Sequence, residues 1–154
     1  MPGSKRPVSV LVLIHDRKLD VLLLERTTWP GYWQSVTGSQ EDGETLGETA
    51  RREVLEETGL AAGAESIIDW RLSNRFEIFQ EWRHRYPAGV THNVEHVYSL
   101  CVPRETAIVV APNEHLGYRW LPWREAVDQV FSWTNRDAIR MLPLCHQGDA
   151  GFSS

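Results

Sequence analysis

Along this chain the spacing of apolar positions changes several times, and each change marks an element. Val8 to Ile14 (VSVLVLI) and Asp20 to Glu25 (DVLLLE) are short apolar runs on either side of the polar stretch His15-Asp16-Arg17-Lys18. That pattern predicts two buried strands joined as a hairpin. Trp33 to Thr37 reads as a short extended segment entering Gly38. There the period becomes four: Leu46, Ala50 and Val54 form one apolar stripe, the mark of an amphipathic helix. Thr45, with Glu48 three residues on, has the capping-box pattern, and Gly59 is a C-terminal stop. Ser66 to Glu81 and His92 to Val102 read as longer strands, joined by a loop around Pro87-Ala88-Gly89, and Tyr118 to Leu121 as a shorter one. Two helices are predicted over Trp123 to Phe131 and Asn135 to Leu142, followed from about residue 147 by a Gly, Asp and Ser tail expected to fray. No repeat or linker divides residues 1–154, so they read as one domain. The predicted fold class is α+β, a mixed central sheet in an α/β/α sandwich.

Composition narrows the partners. A formal net charge of −5 argues against broad contact with a phosphate backbone, so no nucleic-acid partner is expected. Val8 to Ile14 follows Lys5 and Arg6 as the apolar part of a signal peptide would, but it runs into a polar turn without a cleavage site. At seven residues it is also too short to span a bilayer, so no membrane partner is expected. Cys101 and Cys145 belong to no metal-ligand spacing and read as reduced thiols of a cytoplasmic protein. Nor do the six histidines, His92, His96 and His115 among them, show zinc-like spacing.

The helix from Leu46 carries the candidate chemistry. At about 100° per residue from Leu46, Ala50 and Val54 fall near 40° and 80°, Glu57 near 20°, Glu53 near 340° and Glu56 near 280°. Glu57 therefore lies within the apolar stripe and Glu53 beside it. Glu48 and Arg52 fit a solvated charge ladder with favourable i,i+4 spacing. A solvated ladder does not suit Glu53 and Glu57, because buried carboxylates without partners are costly. A hard divalent cation would supply the partner, and oxygen-only ligands favour Mg²⁺ or Mn²⁺.

Gly38, Glu44, Arg52-Glu53-Val54, Glu56-Glu57, Gly59 and Leu60 complete the pattern G-x5-E-x7-R-E-U-x-E-E-x-G-U, where U is a bulky aliphatic residue. Over residues 38–60 the chain thus resembles the Nudix hydrolases. The resemblance implies the Nudix fold and cleavage of a diphosphate linkage by metal-activated water. It implies Glu53, Glu56 and Glu57 as metal ligands, Glu44 as support for the loop or metal shell, and Arg52 as the residue that orients the carboxylates. It also places a further metal ligand or general base at Glu114, outside the box.

Motifs beyond the box resemble one subgroup, the bacterial Nudix enzymes acting on dihydroneopterin triphosphate: KRPVSVLV, LER, WQSVTGS, FEIF, RHRYPAGVTHNVEH, NEHLGYRWL and SWTNRDAI. The implied reaction yields dihydroneopterin monophosphate and pyrophosphate, a step in folate biosynthesis, with a small-molecule triphosphate as the partner. Lys5, Arg26, Thr37, Phe76, Glu77, Ile78, Phe79 and Ser132 are implied to contact substrate. A flat apolar slot suits the ring, and Phe76, Phe79 and Trp33 are candidates for it, although each is equally an ordinary core aromatic. Glu77 either meets the amino-imino edge of the ring or faces solvent. The cluster Arg83-His84-Arg85-Tyr86 is either a phosphate-tail contact or a solvated loop. Two alternatives stay open: a pyrophosphatase acting mainly on dATP or oxidised purine nucleotides, and a non-catalytic nucleotide-binding module of Nudix type.

Overall fold

The computed structural model describes the backbone of residues 3–153 and the side chains of residues 3–145. Its strands are β1 (Val8–His15), β2 (Asp20–Arg26), β3 (Trp33–Gln34), β4 (Val36–Ser39), β5 (Ile67–Glu77), β6 (His92–Cys101) and β7 (His115–Pro122). The helices are α1 (Leu46–Thr58), α2 (Trp123–Gln129) and α3 (Trp133–Ser153), with a 3-10 turn at Gln80–Arg85.

The apolar runs of β1 and β2 are continuous because both faces of these strands are covered. Val10, Val12, Ile14, Leu22 and Leu24 pack with Ala50 and Val54 of α1. The alternate residues Leu11, Leu13, Val21 and Leu23 pack with Ala126 and Val127 of α2 and Ala138, Ile139 and Leu142 of α3. Successive strand side chains point to opposite faces, so this division makes three layers. Each such buried Val, Leu or Ile contributes about 1.5–3 kcal/mol. Truncating the fully buried Leu23 to alanine would cost about 2–5 kcal/mol.

The strand pairing opens a gap at one end of the sheet. β1 runs parallel to β6 along its whole length, from Val8 opposite Val94 to His15 opposite Cys101. β1 and β2 pair at His15 and Val21, next to their turn. Beyond that point they part: β4 pairs with β1 from Ser9 opposite Ser39 to Val12 opposite Val36, while β3 pairs with β2. Residues 33–39 thus cross from β2 to β1 and carry the chain into the loop before α1.

The predicted ends of α1 are those observed. Thr45 and Glu48 form the reciprocal capping box, and Gly59 closes α1 at a φ of 76°, a conformation that favours glycine. Other boundaries differ: the strand expected over Tyr118 to Leu121 spans His115–Pro122, the helix expected to reach Phe131 ends at Gln129, and two further elements differ more. The strand expected to reach Glu81 ends at Glu77, because the Ile78 amide makes the last bond to the Thr91 carbonyl (2.8 Å) and Trp82 then turns back to bond Phe79 (2.9 Å). Stacking of the Trp82 ring on Trp29, with ring centres 5.1 Å apart, holds that turn. The last helix, expected over Asn135 to Leu142, begins at Trp133 with the Ser132 hydroxyl accepting from the Asn135 amide (3.1 Å). It includes Pro143 and runs to Ser153, past residue 147, where a fraying tail was expected.

Candidate active site

Arg52 organises the entry to α1. Its Nε donates to Glu44 Oε2 at 2.6 Å and its Nη2 to Glu44 Oε1 at 3.0 Å, a two-pronged pair that also draws the Ser39 carbonyl to Nη2 at 3.0 Å. Nη1 donates to Glu53 Oε1 at 2.6 Å and lies 3.3 Å from Glu56 Oε2. Glu44 Oε1 takes further bonds from the Thr49 hydroxyl and the Glu41 amide, each 2.9 Å. The Arg52 bonds hold the Glu44 carboxyl down at about 2, and Glu44 in return raises the pKa of Arg52. One guanidinium therefore fastens the loop before α1 to the helix and aims Glu53. A Cβ at Gly38 would fall on the Glu53 carboxylate, so only glycine leaves room for it there.

Behind this network Glu53 lies beside a deeper acid, Glu57. Glu57 is 2% exposed, and its Oε1 is buried without a hydrogen-bond partner. Burial pushes the Glu57 carboxyl well above the usual carboxylate range, and neighbouring Glu53 and Glu114 push it further. Burial raises Glu53 as well, against the pull of Arg52. His115 Nε2 stands 3.7 Å from Glu57 Oε1, but burial lowers that imidazole to about 4, so the ring is neutral near pH 7 and supplies no countercharge. A buried carboxylate with an orphaned oxygen, next to a second, half-buried one, fits a hard cation with an oxygen-rich shell. Glu53 and Glu57 are the two residues that could hold one.

Both carboxylates line a cavity of about 940 Å³. Lys5, Arg26, Thr37, Phe76, Glu77, Ile78, Phe79, Glu114 and Ser132 line it too, so residues from every part of the chain that the motifs singled out converge on one space. Lys5 lies over the Tyr86 ring, 5.6 Å from its centre, and burial followed by the nearby Arg85 lowers its pKa. Arg26 donates from Nη1 to Gln34 (3.1 Å) and lies over the Trp82 ring at 5.0 Å, while its Nε has no partner. The Thr37 hydroxyl donates to the Val10 carbonyl (3.0 Å).

Several expected roles fall elsewhere. Glu56 is half-exposed beside Arg52 and does not line the cavity. Among the described residues no three acidic, histidine or cysteine side chains close on one point, so the expected Glu53, Glu56, Glu57 and Glu114 set is not gathered as a ready cage. Trp33 is no part of the slot: it is 8% exposed in the core beside Val130, with Arg119 over its ring at 4.2 Å. Glu77 sits exposed, 3.4 Å from Arg83. Of the basic cluster, Arg85 faces the cavity, while Arg83 turns back to donate to the Ile78 carbonyl (3.0 Å). The residues that sequence reasoning missed are His115, Asn93 and Glu95, all buried and lining the cavity. The signal for Asn93 and Glu95 was available: in β6 they alternate with Val94 and precede Val97 on the face that leads into the core.

The NUDIX domain pattern matches residues 5–143. The chain belongs to the NUDIX domain family. Its Nudix relatives include the dihydroneopterin triphosphate diphosphatase of Escherichia coli, 47% identical over 91% of this chain and 94% of that one. The protein of the same name from Haemophilus influenzae is 37% identical over 91% of this chain and 89% of that one. The solved structure of the E. coli dihydroneopterin triphosphate pyrophosphohydrolase superposes with a TM-score of 0.83 at 46% identity, covering 90% of this chain and 96% of that one. The fold is therefore the Nudix fold, with its mixed sheet between helices. Nudix hydrolases as a family use divalent metal ions, which agrees with the orphaned Glu57 oxygen. Among the described residues no helix is long and apolar enough to cross a membrane.

Proposed function

We propose that this chain hydrolyses dihydroneopterin triphosphate between its α and β phosphates, with Mg²⁺ as cofactor and Mn²⁺ as a substitute. One observation carries the reading: the buried Glu57, with an unsatisfied oxygen, and the half-buried Glu53 share a single cavity with Lys5 and Arg26. This occurs in a chain 47% identical over 91% of its length to a protein named for that activity.

The residues divide the work. Glu53 and Glu57 would hold the cation, and Arg52, which does not reach the cavity, is a positioning residue that keeps Glu53 aimed. When bound, the cation supplies charge neutralisation at the phosphate oxygens and a water more acidic than bulk water. Lys5, Arg26 and Arg85 place positive charge along the triphosphate tail. Water adds to phosphorus, the bridging P–O bond breaks, and the water proton passes to a cavity carboxylate among Glu53, Glu57 and Glu114. The products are dihydroneopterin monophosphate and pyrophosphate. No serine or cysteine nucleophile is needed.

The test is turnover by chelator-treated protein. Mg²⁺ is expected to restore hydrolysis to the native chain and not to E57Q, with both folded by circular dichroism. Activity of E57Q at the native level would remove Glu57 from the metal site.

A further inference from the structure

Away from the acidic pair, the cavity has a second set of unsatisfied groups. Glu95 is 6% exposed and Asn93 is 2% exposed, and both line the cavity. Glu95 Oε1 and Asn93 Oδ1 are each buried without a hydrogen-bond partner. The Asn93 amide is held in place because its Nδ2 donates to the Ser9 hydroxyl at 2.7 Å, which leaves the oxygen free. Burial lifts the Glu95 carboxyl to about 7, and the Thr134 hydroxyl eases it partway back. Buried polar atoms are almost always bonded, and two orphaned acceptors in one cavity are an unusual cost. The fold gives no partner to either.

Position adds a second argument. Glu95 pairs in register with Ser9 of β1, and Ser9 in turn with Ser39 of β4, next to the Gly38 that receives the Glu53 carboxylate. Two strand spacings are about 10 Å. The orphaned acceptors thus sit about a ring and its linker away from the acidic pair. The half-buried Phe76 and the buried Tyr86 supply apolar surface in the same cavity.

We propose that Glu95, with Asn93 beside it, is the specificity-determining residue for the ring end of the substrate, and that it reads a 2-amino-4-oxo pyrimidine edge. That edge presents a ring N–H and an adjacent amino group, two donors side by side, which match a carboxylate's two acceptors. Two donors bond both oxygens and so favour the ionised form over the proton that Glu95 holds up to about pH 7 in the free protein. Adenine presents an acceptor next to a donor and matches the ionised carboxylate poorly. A site built to bond a donor discriminates strongly against an analogue that lacks it, because its own acceptor is then left buried and unpaired. The assignment of the pterin as the preferred ring rests on the function proposed above; the reading of the edge by Glu95 does not.

The experiment uses the whole chain with Mg²⁺ and measures kcat and KM for dihydroneopterin triphosphate, dGTP, dITP and dATP in the native protein and in E95Q. The ratio of kcat/KM for the pterin to that for dATP is expected to fall about 30-fold or more in E95Q, mainly through KM, with the dGTP to dATP ratio falling in parallel. The native protein is expected to favour dGTP over dITP, which lacks only the 2-amino group, by about tenfold or more, a comparison that needs no variant. Ratios unchanged within about threefold in E95Q, together with equal use of dGTP and dITP, would overturn the role of Glu95. A native protein inactive on the pterin, yet still separating dGTP from dITP, would overturn the proposed substrate and leave the edge reading in place.

Discussion

Arg52 and Glu44 form a two-pronged ion pair, with Nε to Oε2 at 2.6 Å and Nη2 to Oε1 at 3.0 Å, and the same guanidinium holds Glu53 Oε1 at 2.6 Å. Lysine can carry the charge but not the fork. R52K is expected to keep the fold, lose about 1–2 kcal/mol of stability, and lose about tenfold or more in kcat as Glu53 swings free. Urea unfolding and steady-state kinetics measure the two losses. An unchanged kcat would show that Arg52 does not position the carboxylate.

Gly38 makes a separate claim about the same carboxylate. Since a Cβ there would land on the Glu53 side chain, G38A is expected to displace it and lower kcat/KM about 100-fold. The fold should survive, because the clash is with a side chain end at the edge of the site. Activity within about threefold of the native enzyme would mean the carboxylate has room to move.

The acidic pair predicts that function costs stability. Replacing the buried Glu57 carboxyl by its neutral amide in E57Q is expected to raise the melting temperature of the metal-free protein by a few degrees. Mg²⁺ should raise the melting temperature of the native chain, as any ligand selective for the folded state does, and leave that of E57Q unmoved. A native protein indifferent to Mg²⁺ in thermal unfolding would contradict the metal assignment.

Glu95 predicts a pH dependence in the metal-free protein. Burial raises its folded pKa from 4.5 to about 7, so the folded chain holds that proton more tightly than the unfolded chain. Its contribution is fully present below the unfolded value and is lost as pH rises through about 7, a change on the order of 3 kcal/mol. Glu53 and Glu57 share the sign, so the difference between the native protein and E95Q isolates this residue. Stability of E95Q is expected to decline less between about pH 5 and pH 8, read by urea unfolding at each pH. Parallel curves would show that Glu95 titrates normally.

What could be read from residues alone was whatever depended on local order. The four-residue period of Leu46, Ala50 and Val54 located α1, and the same wheel put Glu57 on the buried face, where it lies at 2% exposure. The capping box and Gly59 are local devices, and they are present as expected. Glu56, the outermost of the three acids on that wheel, is half-exposed against Arg52. Tertiary contacts were harder to foresee. The turn after Ile78 depends on Trp82 meeting Trp29, a ring more than fifty positions away in the chain, which no periodicity reports. Trp33 is buried because its strand lies against β2 and near Val130. Alternation along β6 puts Glu95 on the same face as the core residue Val97, but that its oxygen has no partner shows only in the folded cavity.

The central claim is the substrate. The most direct measurement is kcat/KM of the purified chain with Mg²⁺ for dihydroneopterin triphosphate against dATP and dGTP, with products identified by phosphorus NMR. The pterin is expected to be preferred by about tenfold or more, with pyrophosphate and the monoester as the only phosphorus products. A preference for a nucleotide by orders of magnitude, or release of orthophosphate in place of pyrophosphate, would contradict it.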